Sequence, residues 1–157
     1  MFDDPISISR LLGLHPKLRD EAHSIVTNLW ADGIPLRVTE GYRTWKQSDL
    51  DYAKGRTAPG VKITNAPGGS SYHNFGLALD FCLLDSKGAV FSQTIDLNHD
   101  SIADWLEVVK AFKNAGWVWG GDWHTIKDGP HVEKSFGYSV KQLKLMSKSG
   151  TIQYPEL

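Results

Sequence analysis

The sequence predicts an α+β fold, a small antiparallel sheet flanked by helices, and three observations carry that expectation. Helical and strand-like segments alternate without a regular βαβ rhythm. The strand-like segments are short, and Asp85-Ser86-Lys87-Gly88 reads as a tight turn between two of them. The chain has 157 residues, 41% hydrophobic and 22% charged, an ordinary globular mixture that fits one domain over 1–157.

Taken in order, Pro16 to Ala31 predicts the first helix. Leu18, Ala22, Ile25, Val26 and Leu29 recur at helical spacing, Pro16 suits a first turn, and Asp32-Gly33 ends it. Ile34 to Glu40 reads as a strand, with Leu36 and Val38 alternating against Arg37 and Thr39. Trp45 to Ala53 is a short helix. From Gly55 to Ser71 the chain is rich in Gly, Pro, Ser, Thr and Asn, which predicts a long irregular loop of the kind that often carries function. Leu77 to Leu84 is a mostly apolar strand, and Ala89 to Phe91 returns as a hairpin arm. Ser101 to Ala115 predicts a helix with Ile102, Trp105, Leu106, Val109 and Phe112 on one face and Gly116 as its cap. Trp117 to Trp119 is a short strand, Gly120-Gly121 a turn, His131 to Glu133 a strand end and Ser139 to Met146 a last helix.

Composition removes several function classes. Lys plus Arg is 17 and Asp plus Glu is 18, so the net charge of -1 lacks the electrostatic footprint of a nucleic-acid binder. Cys82, the one cysteine, cannot form an internal disulfide or a Cys-rich zinc module. The stretch Met1 to Leu12 has no apolar run, so it is read as neither signal peptide nor membrane span, and synthesis in the cytoplasm is expected. Six Trp, five Tyr and six Phe suggest a thick core or a cleft for something flat or extended. Most of the Trp set, Trp105, Trp117, Trp119 and Trp123, is expected in the core.

The histidines carry the chemistry. His15, His23 and His99 read as surface residues. His73 leaves the irregular loop, and Asp80 follows it within an apolar strand. A carboxylate among Leu77, Leu79, Phe81 and Leu83 is costly unless it is paired or metal-bound. Gly76 lets the backbone fold His73 back over the strand, so both side chains can meet one cation. Downstream, Gly129-Pro130 forces a turn that could bring Asp128 near His131. Two His and one Asp with an open fourth position form a catalytic zinc arrangement. A further carboxylate that is not a ligand is what a metal-assisted hydrolase needs as general base. The plainer alternatives are a buried His73–Asp80 hydrogen bond without metal and an Arg43 that only pairs with an acid at a strand end. Thiolate is a good zinc ligand, but Cys82 reads as a buried structural cysteine.

The pattern Ser71-x-His73-x-x-Gly76-x-Ala78-x-Asp80, followed by Asp128-x-x-His131, resembles the signature of the LAS zinc metallopeptidases, whose fold is hedgehog-like with the zinc site at the sheet. Within that group the chain is similar to VanY-type D-alanyl-D-alanine carboxypeptidases and, more closely, to L-alanyl-D-glutamate endopeptidases among phage endolysins and bacterial autolysins. Gly41-Tyr42-Arg43-Thr44, Gln47, Tyr52-Ala53 and Gly55-Arg56-Thr57 are similar to the upstream motif of the family, and Trp119-Gly120-Gly121-Asp122-Trp123 to the segment before the last ligand. The similarity runs from Leu36 to Glu133.

The resemblance implies one Zn2+ per chain held by His73, Asp80 and His131. It implies Asp128 as catalytic acid/base and Arg43 as the group that steadies the substrate carbonyl. Ser71 belongs to the motif as a supporting residue. Strand alternation puts Glu133 on the same face as His131, which makes it a supporting group and the rival to Asp128. His124 flanks the motif and is a candidate substrate contact. Asp122 and Trp123 match the motif without an assigned role.

The implied activity is hydrolysis of peptidoglycan stem peptides at the L-Ala–D-Glu bond, a bacteriolytic, cell-wall-degrading reaction by a monomer. The alternatives are D-alanyl-D-alanine carboxypeptidase activity and a non-catalytic metal-binding module for cell-wall recognition. No separate wall-binding domain is expected. An endolysin of this kind would act on the wall after release from the cytoplasm, for example through a phage holin.

Overall fold

The computed structural model describes residues 2–147 and 154–157. Met1 and 148–153, both inside the expected 1–157 domain, lie outside the described residues. The elements are α1 (Pro5–Leu12), α2 (Pro16–Ala31), β1 (Leu36–Glu40), α3 (Trp45–Ala53), β2 (Ala78–Asp85), β3 (Gly88–Val90), α4 (Asp104–Asn114), β4 (Val118–Trp119), β5 (His131–Glu133) and α5 (Val140–Met146). Single 3₁₀ turns stand at Tyr72–Phe75 and Gly120–Asp122. The strands make one antiparallel sheet in the order β1-β2-β5-β4, with β3 also paired to β2. The expected α+β architecture is therefore the one found.

Strand β2 organises the sheet. It pairs with β1 along Leu36↔Leu83 and Val38↔Phe81, with β5 along Ala78↔Glu133 and Asp80↔His131, and with β3 at its far end. Alternation sends Leu79, Phe81 and Leu83 of β2 into the core. There they meet Leu18, Ala22, Val26 and Leu29 of α2 and Trp105, Val108, Val109 and Phe112 of α4. Phe81 and Trp105 pack with ring centroids 4.6 Å apart. Burying each Leu or Phe contributes about 1.5–3 kcal/mol. Alternation also points Asp80 to the other face of the sheet, away from α2 and α4.

Three expectations need correction. The chain begins with a helix, α1, before the one predicted at Pro16. Its signals are local, with Asp4 as the cap and Pro5 in the first turn, and contacts with β1 hold it in place. Asp4 caps it by accepting from Ser7 N at 3.1 Å, and the same carboxylate accepts from Arg37 Nη2 of β1 at 2.8 Å. Ser7 Oγ accepts from Val38 N at 2.8 Å, so one cap ties the helix to the sheet edge. Second, α4 starts at Asp104 rather than Ser101. Ile102 and Leu106 are 50% and 48% exposed, and Val108 replaces them on the buried face. Third, His15 is buried. Its Nδ1 accepts from Lys17 N to cap α2, and its Nε2 meets Pro155 O at 2.9 Å.

Candidate active site

The site is built where the loop leading into β2 meets the β2–β5 pair. Ser71 Oγ caps the 3₁₀ turn by accepting from His73 N at 3.3 Å. Asn74 Oδ1 accepts from Gly69 N, Ser70 N and Ser71 N, which holds the preceding loop against that turn. Gly76 then takes φ 68°, a left-handed conformation that lets the chain reverse into β2. The reversal lays the His73 ring over the start of the strand.

His131 stands directly across the ladder from Asp80. Asp80 Oδ1 lies 3.2 Å from His73 Nε2 and 3.1 Å from His131 Nδ1, and the two ring nitrogens lie 3.1 Å apart. Both histidines are nearly fully buried, and the Asp80 side chain is 23% exposed. The outward nitrogens are occupied elsewhere. His73 Nδ1 meets Gly41 O at 2.8 Å, and His131 Nε2 meets Glu133 Oε2 at 2.8 Å. These partners assign N–H to the outward nitrogens, so each imidazole, when neutral, turns a lone pair inward. Three inward acceptors then face one point, the donor set of a divalent cation. Among the described residues this is the one group of three His, Cys, Asp or Glu side chains whose ligand atoms lie within 4.8 Å of one another. Cys82 is buried outside it, and burial pushes its thiol pKa up.

The electrostatics show that the site draws positive charge. Burial alone would raise Asp80, but hydrogen bonds from His131 and His73 hold its carboxyl well below the usual range. Burial opposes charge on His131, yet Asp80 and Glu133 together push its pKa up to about 9.

Asp128 sits in the turn before β5. Its N–H donates to Gly120 O at 3.0 Å, and Trp119 Nε1 donates to Gly129 O at 2.7 Å, so β4 and the following turn pin the segment. The Asp128 side chain lines the cleft with His73, Asp80 and His131 without hydrogen-bonding to their side chains, while its carbonyl accepts from His131 N at 3.3 Å. Burial, then the charge of Asp80, raises its pKa above the usual carboxylate value, partly offset by His131 and His73. Arg43 lines the same cleft and is paired with Glu40, its Nε 2.6 Å from Oε1 and its Nη2 on Oε2. The ion-pair reading of Arg43 and its place in the cleft therefore hold together.

The cleft, about 460 Å³, is also lined by Ile63, Thr64, Ser71, Tyr72 and Trp123. The irregular 55–71 loop thus forms one wall, as expected, and it is braced. Arg56 Nη1 donates to Tyr52 O and Thr64 O, and its guanidinium stacks 3.9 Å from the Tyr52 ring centroid. Trp123 leaves the expected core and stands with its ring 5.1 Å from the His131 ring. His124 is exposed and does not line the cleft. Asp122 is half-exposed and pairs with Lys113 at 2.6 Å. Glu40 is a neighbour that the sequence reading names only as a strand end, and Trp123, matched to the motif there, has no place in the cleft in that reading. An acid three residues before Arg43 and a Trp inside the motif-like segment were the available signals.

Comparison with known proteins points to one family. A family model described as D-alanyl-D-alanine carboxypeptidase matches residues 64–134. The peptidoglycan L-alanyl-D-glutamate endopeptidase CwlK of Bacillus subtilis (strain 168) is 43% identical over 121 residues, 76% of this chain and 72% of that protein. The L-alanyl-D-glutamate peptidase of Listeria phage A118 is 29% identical over 137 residues, and the match spans 84% of this chain but 43% of the phage protein. Among solved structures, the Serratia marcescens L-Ala D-Glu endopeptidase ChiX aligns with a TM-score of 0.55 at 23% identity, covering 84% of this chain and 88% of that one, and supports the fold.

The chain belongs to the LAS-type, VanY-like metallopeptidase family. It is a metal-dependent hydrolase of that family, with a His73/Asp80/His131 group able to hold the ion. Among the described residues no helix is long and apolar enough to cross a membrane.

Proposed function

We propose that the chain is a zinc-dependent L-alanyl-D-glutamate endopeptidase of peptidoglycan stem peptides. One observation carries this reading: His73, Asp80 and His131 converge on a single point in a cleft that Asp128 and Arg43 also line. The endopeptidase names of the bacterial and phage relatives supply the scissile bond.

In this reading His73 Nε2, Asp80 Oδ1 and His131 Nδ1 hold one zinc. When bound, zinc supplies a Lewis acid for the scissile carbonyl and makes water a usable nucleophile near neutral pH. Asp128 takes the proton of the attacking water and returns it to the leaving amine. A carboxylate raised by burial suits both transfers better than an ordinary exposed one. Arg43, held by Glu40, offsets the negative charge that develops on the carbonyl oxygen. Gly41 O and Glu133 orient the two imidazoles. Ser71 keeps the His73 turn closed, and Trp123 and Tyr72 supply apolar walls for an extended peptide. His124 stands outside this scheme. No side chain forms a covalent intermediate. Residues 1–157 act as one catalytic domain and as a monomer, on the cell wall after release from the cytoplasm, for example through a phage holin.

The description of the matching family favours a second reading, D-alanyl-D-alanine carboxypeptidase. Digestion of purified peptidoglycan with the zinc-loaded chain separates the two. New D-Glu N-termini support the endopeptidase, and free D-Ala supports the carboxypeptidase. Bound zinc with no new ends of either kind would leave a non-catalytic wall-recognition module.

A further inference from the structure

We propose that Asp96 to Glu107, the segment entering α4, is a calcium-binding loop separate from the catalytic cleft. The residues run Asp96-Leu97-Asn98-His99-Asp100-Ser101-Ile102-Ala103-Asp104-Trp105-Leu106-Glu107. Counted from Asp96, oxygen donors stand at positions 1, 3, 5, 9 and 12, and a backbone carbonyl, that of Ile102, at position 7. This is the ligand spacing of the twelve-residue EF-hand loop, whose last position is a bidentate Glu. Position 6 of that loop calls for a left-handed residue, ordinarily Gly. Here it is Ser101, and it takes φ 76°. A helix follows the loop, as the motif requires, although the chain enters from irregular structure rather than from a helix.

The turn is closed by its own side chains. Asp96 Oδ1 and Asn98 Oδ1 accept from Asp100 N at 3.2 and 3.1 Å, and Asp96 Oδ2 accepts from Ser101 N at 3.0 Å. Such bonds also occur in ordinary Asx turns. The observation that points to a ligand is different. Asp104 is fully buried; its Oδ2 accepts from Leu97 N, and its Oδ1 has no partner. Glu107 Oε2 is likewise buried and unpartnered. Two carboxylate oxygens without donors are costly to bury. They adjoin further acids rather than bases. Burial, then the charges of Asp96 and Asp100, raises Asp104 above the usual carboxylate value, partly offset by the backbone N–H groups of Leu97 and Asn98, and burial with the charges of Asp100, Asp104, Asp96 and Asp32 raises Glu107.

All-oxygen donors of high charge in a flexible loop select calcium over zinc, and the octahedral preference of magnesium fits a twelve-residue loop less well. No three of these carboxylates stand within 4.8 Å of one another, as His73, Asp80 and His131 do, so binding would draw Asp96, Asp100 and Glu107 inward. The effect reaches the core, because Trp105 lies within the loop and packs on Phe81, the neighbour of Asp80.

The test uses the full zinc-loaded chain. Calorimetric titration with calcium chloride should give one calcium per chain. Terbium should bind the same loop and luminesce on excitation of Trp105. Calcium at about a hundredfold excess over its dissociation constant should raise Tm by about 5–10 °C, and equal magnesium should do less. Glu107→Gln should weaken calcium binding about tenfold or more. Exposed Asp100→Asn, which spares the buried groups, should also weaken it. Asp80→Asn should leave it unchanged and so separate this site from the catalytic one. Folded wild type that shows no calcium heat and no Tm shift, or binding that survives both Glu107→Gln and Asp100→Asn, overturns the proposal.

Discussion

His73 Nε2 lies 3.1 Å from His131 Nδ1, although the two residues come from a loop turn and from the strand opposite Asp80. Two neutral imidazoles so placed present lone pairs to each other and to a carboxylate. A proton on His131 satisfies Asp80 but leaves the His73 lone pair competing for the same hydrogen, whereas a divalent cation takes all three donors at once. Purified protein should therefore hold about one zinc per chain, measured by elemental analysis. His73→Ala, Asp80→Ala and His131→Ala should each lose it. Full occupancy in all three variants would sink the assignment.

Glu133 and Asp128 are carboxylates of one segment with different expected roles. Glu133 touches the outer nitrogen of His131, so Glu133→Ala should weaken zinc binding about 10- to 100-fold. Excess zinc should restore most of its activity. Asp128→Ala should keep zinc and lose turnover by about 100- to 10,000-fold, with no rescue by zinc. If zinc rescues Asp128→Ala and not Glu133→Ala, the two roles are exchanged.

The legible and illegible parts of the sequence differ in range. His73, Gly76 and Asp80 could be placed together because one short turn and one strand join them. His131 needed the resemblance, since nothing local says that β5 pairs with β2. Helix α1 carries its own local signals, the Asp4 cap and Pro5 in the first turn, but its anchors, Arg37 and Val38, lie far along the chain. The start of α4 was set too early because the apolar Ile102 fits the helical period while its backbone belongs to the preceding loop. Trp123 looked like core because its size says nothing of which wall it lines.

Asp4 offers a pH-dependent test of the α1 anchor. Burial would raise its pKa, but hydrogen bonds from Arg37 and Ser7 prevail and lower it from 3.8. A depressed folded value means that the carboxylate contributes in full above the unfolded pKa and loses that contribution as pH falls through the folded one. Asp4→Ala should cost about 1–3 kcal/mol near pH 7, from the lost cap and the lost pair with Arg37. Circular dichroism melts of both proteins should converge as pH drops below about 4. A gap that stays constant down to acid unfolding would mean that the pair with Arg37 contributes nothing.

Gly120 tests how finely Asp128 and His131 must be held. A Cβ built there would come 2.5 Å from Asp128 O, 3.0 Å from Asp128 Cβ and 3.2 Å from His131 Cβ. None of these is the end of a flexible side chain, so the turn carrying both residues must move. Gly120 has no left-handed backbone requirement, so the effect of Gly120→Ala is the contact alone. Val132 and Trp105 are not among the atoms that this Cβ would meet, so the variant should fold with a loss of Tm set by the turn. Turnover should fall far more, since a shift of about 1 Å in a reacting group can cost about 100-fold. Zinc affinity should fall with it through His131. The measurement is kcat, zinc affinity and Tm on the same preparation. Unchanged kcat in a folded Gly120→Ala variant would show that the segment tolerates the displacement, and that Asp128 is not held in a fixed relation to the metal ligands.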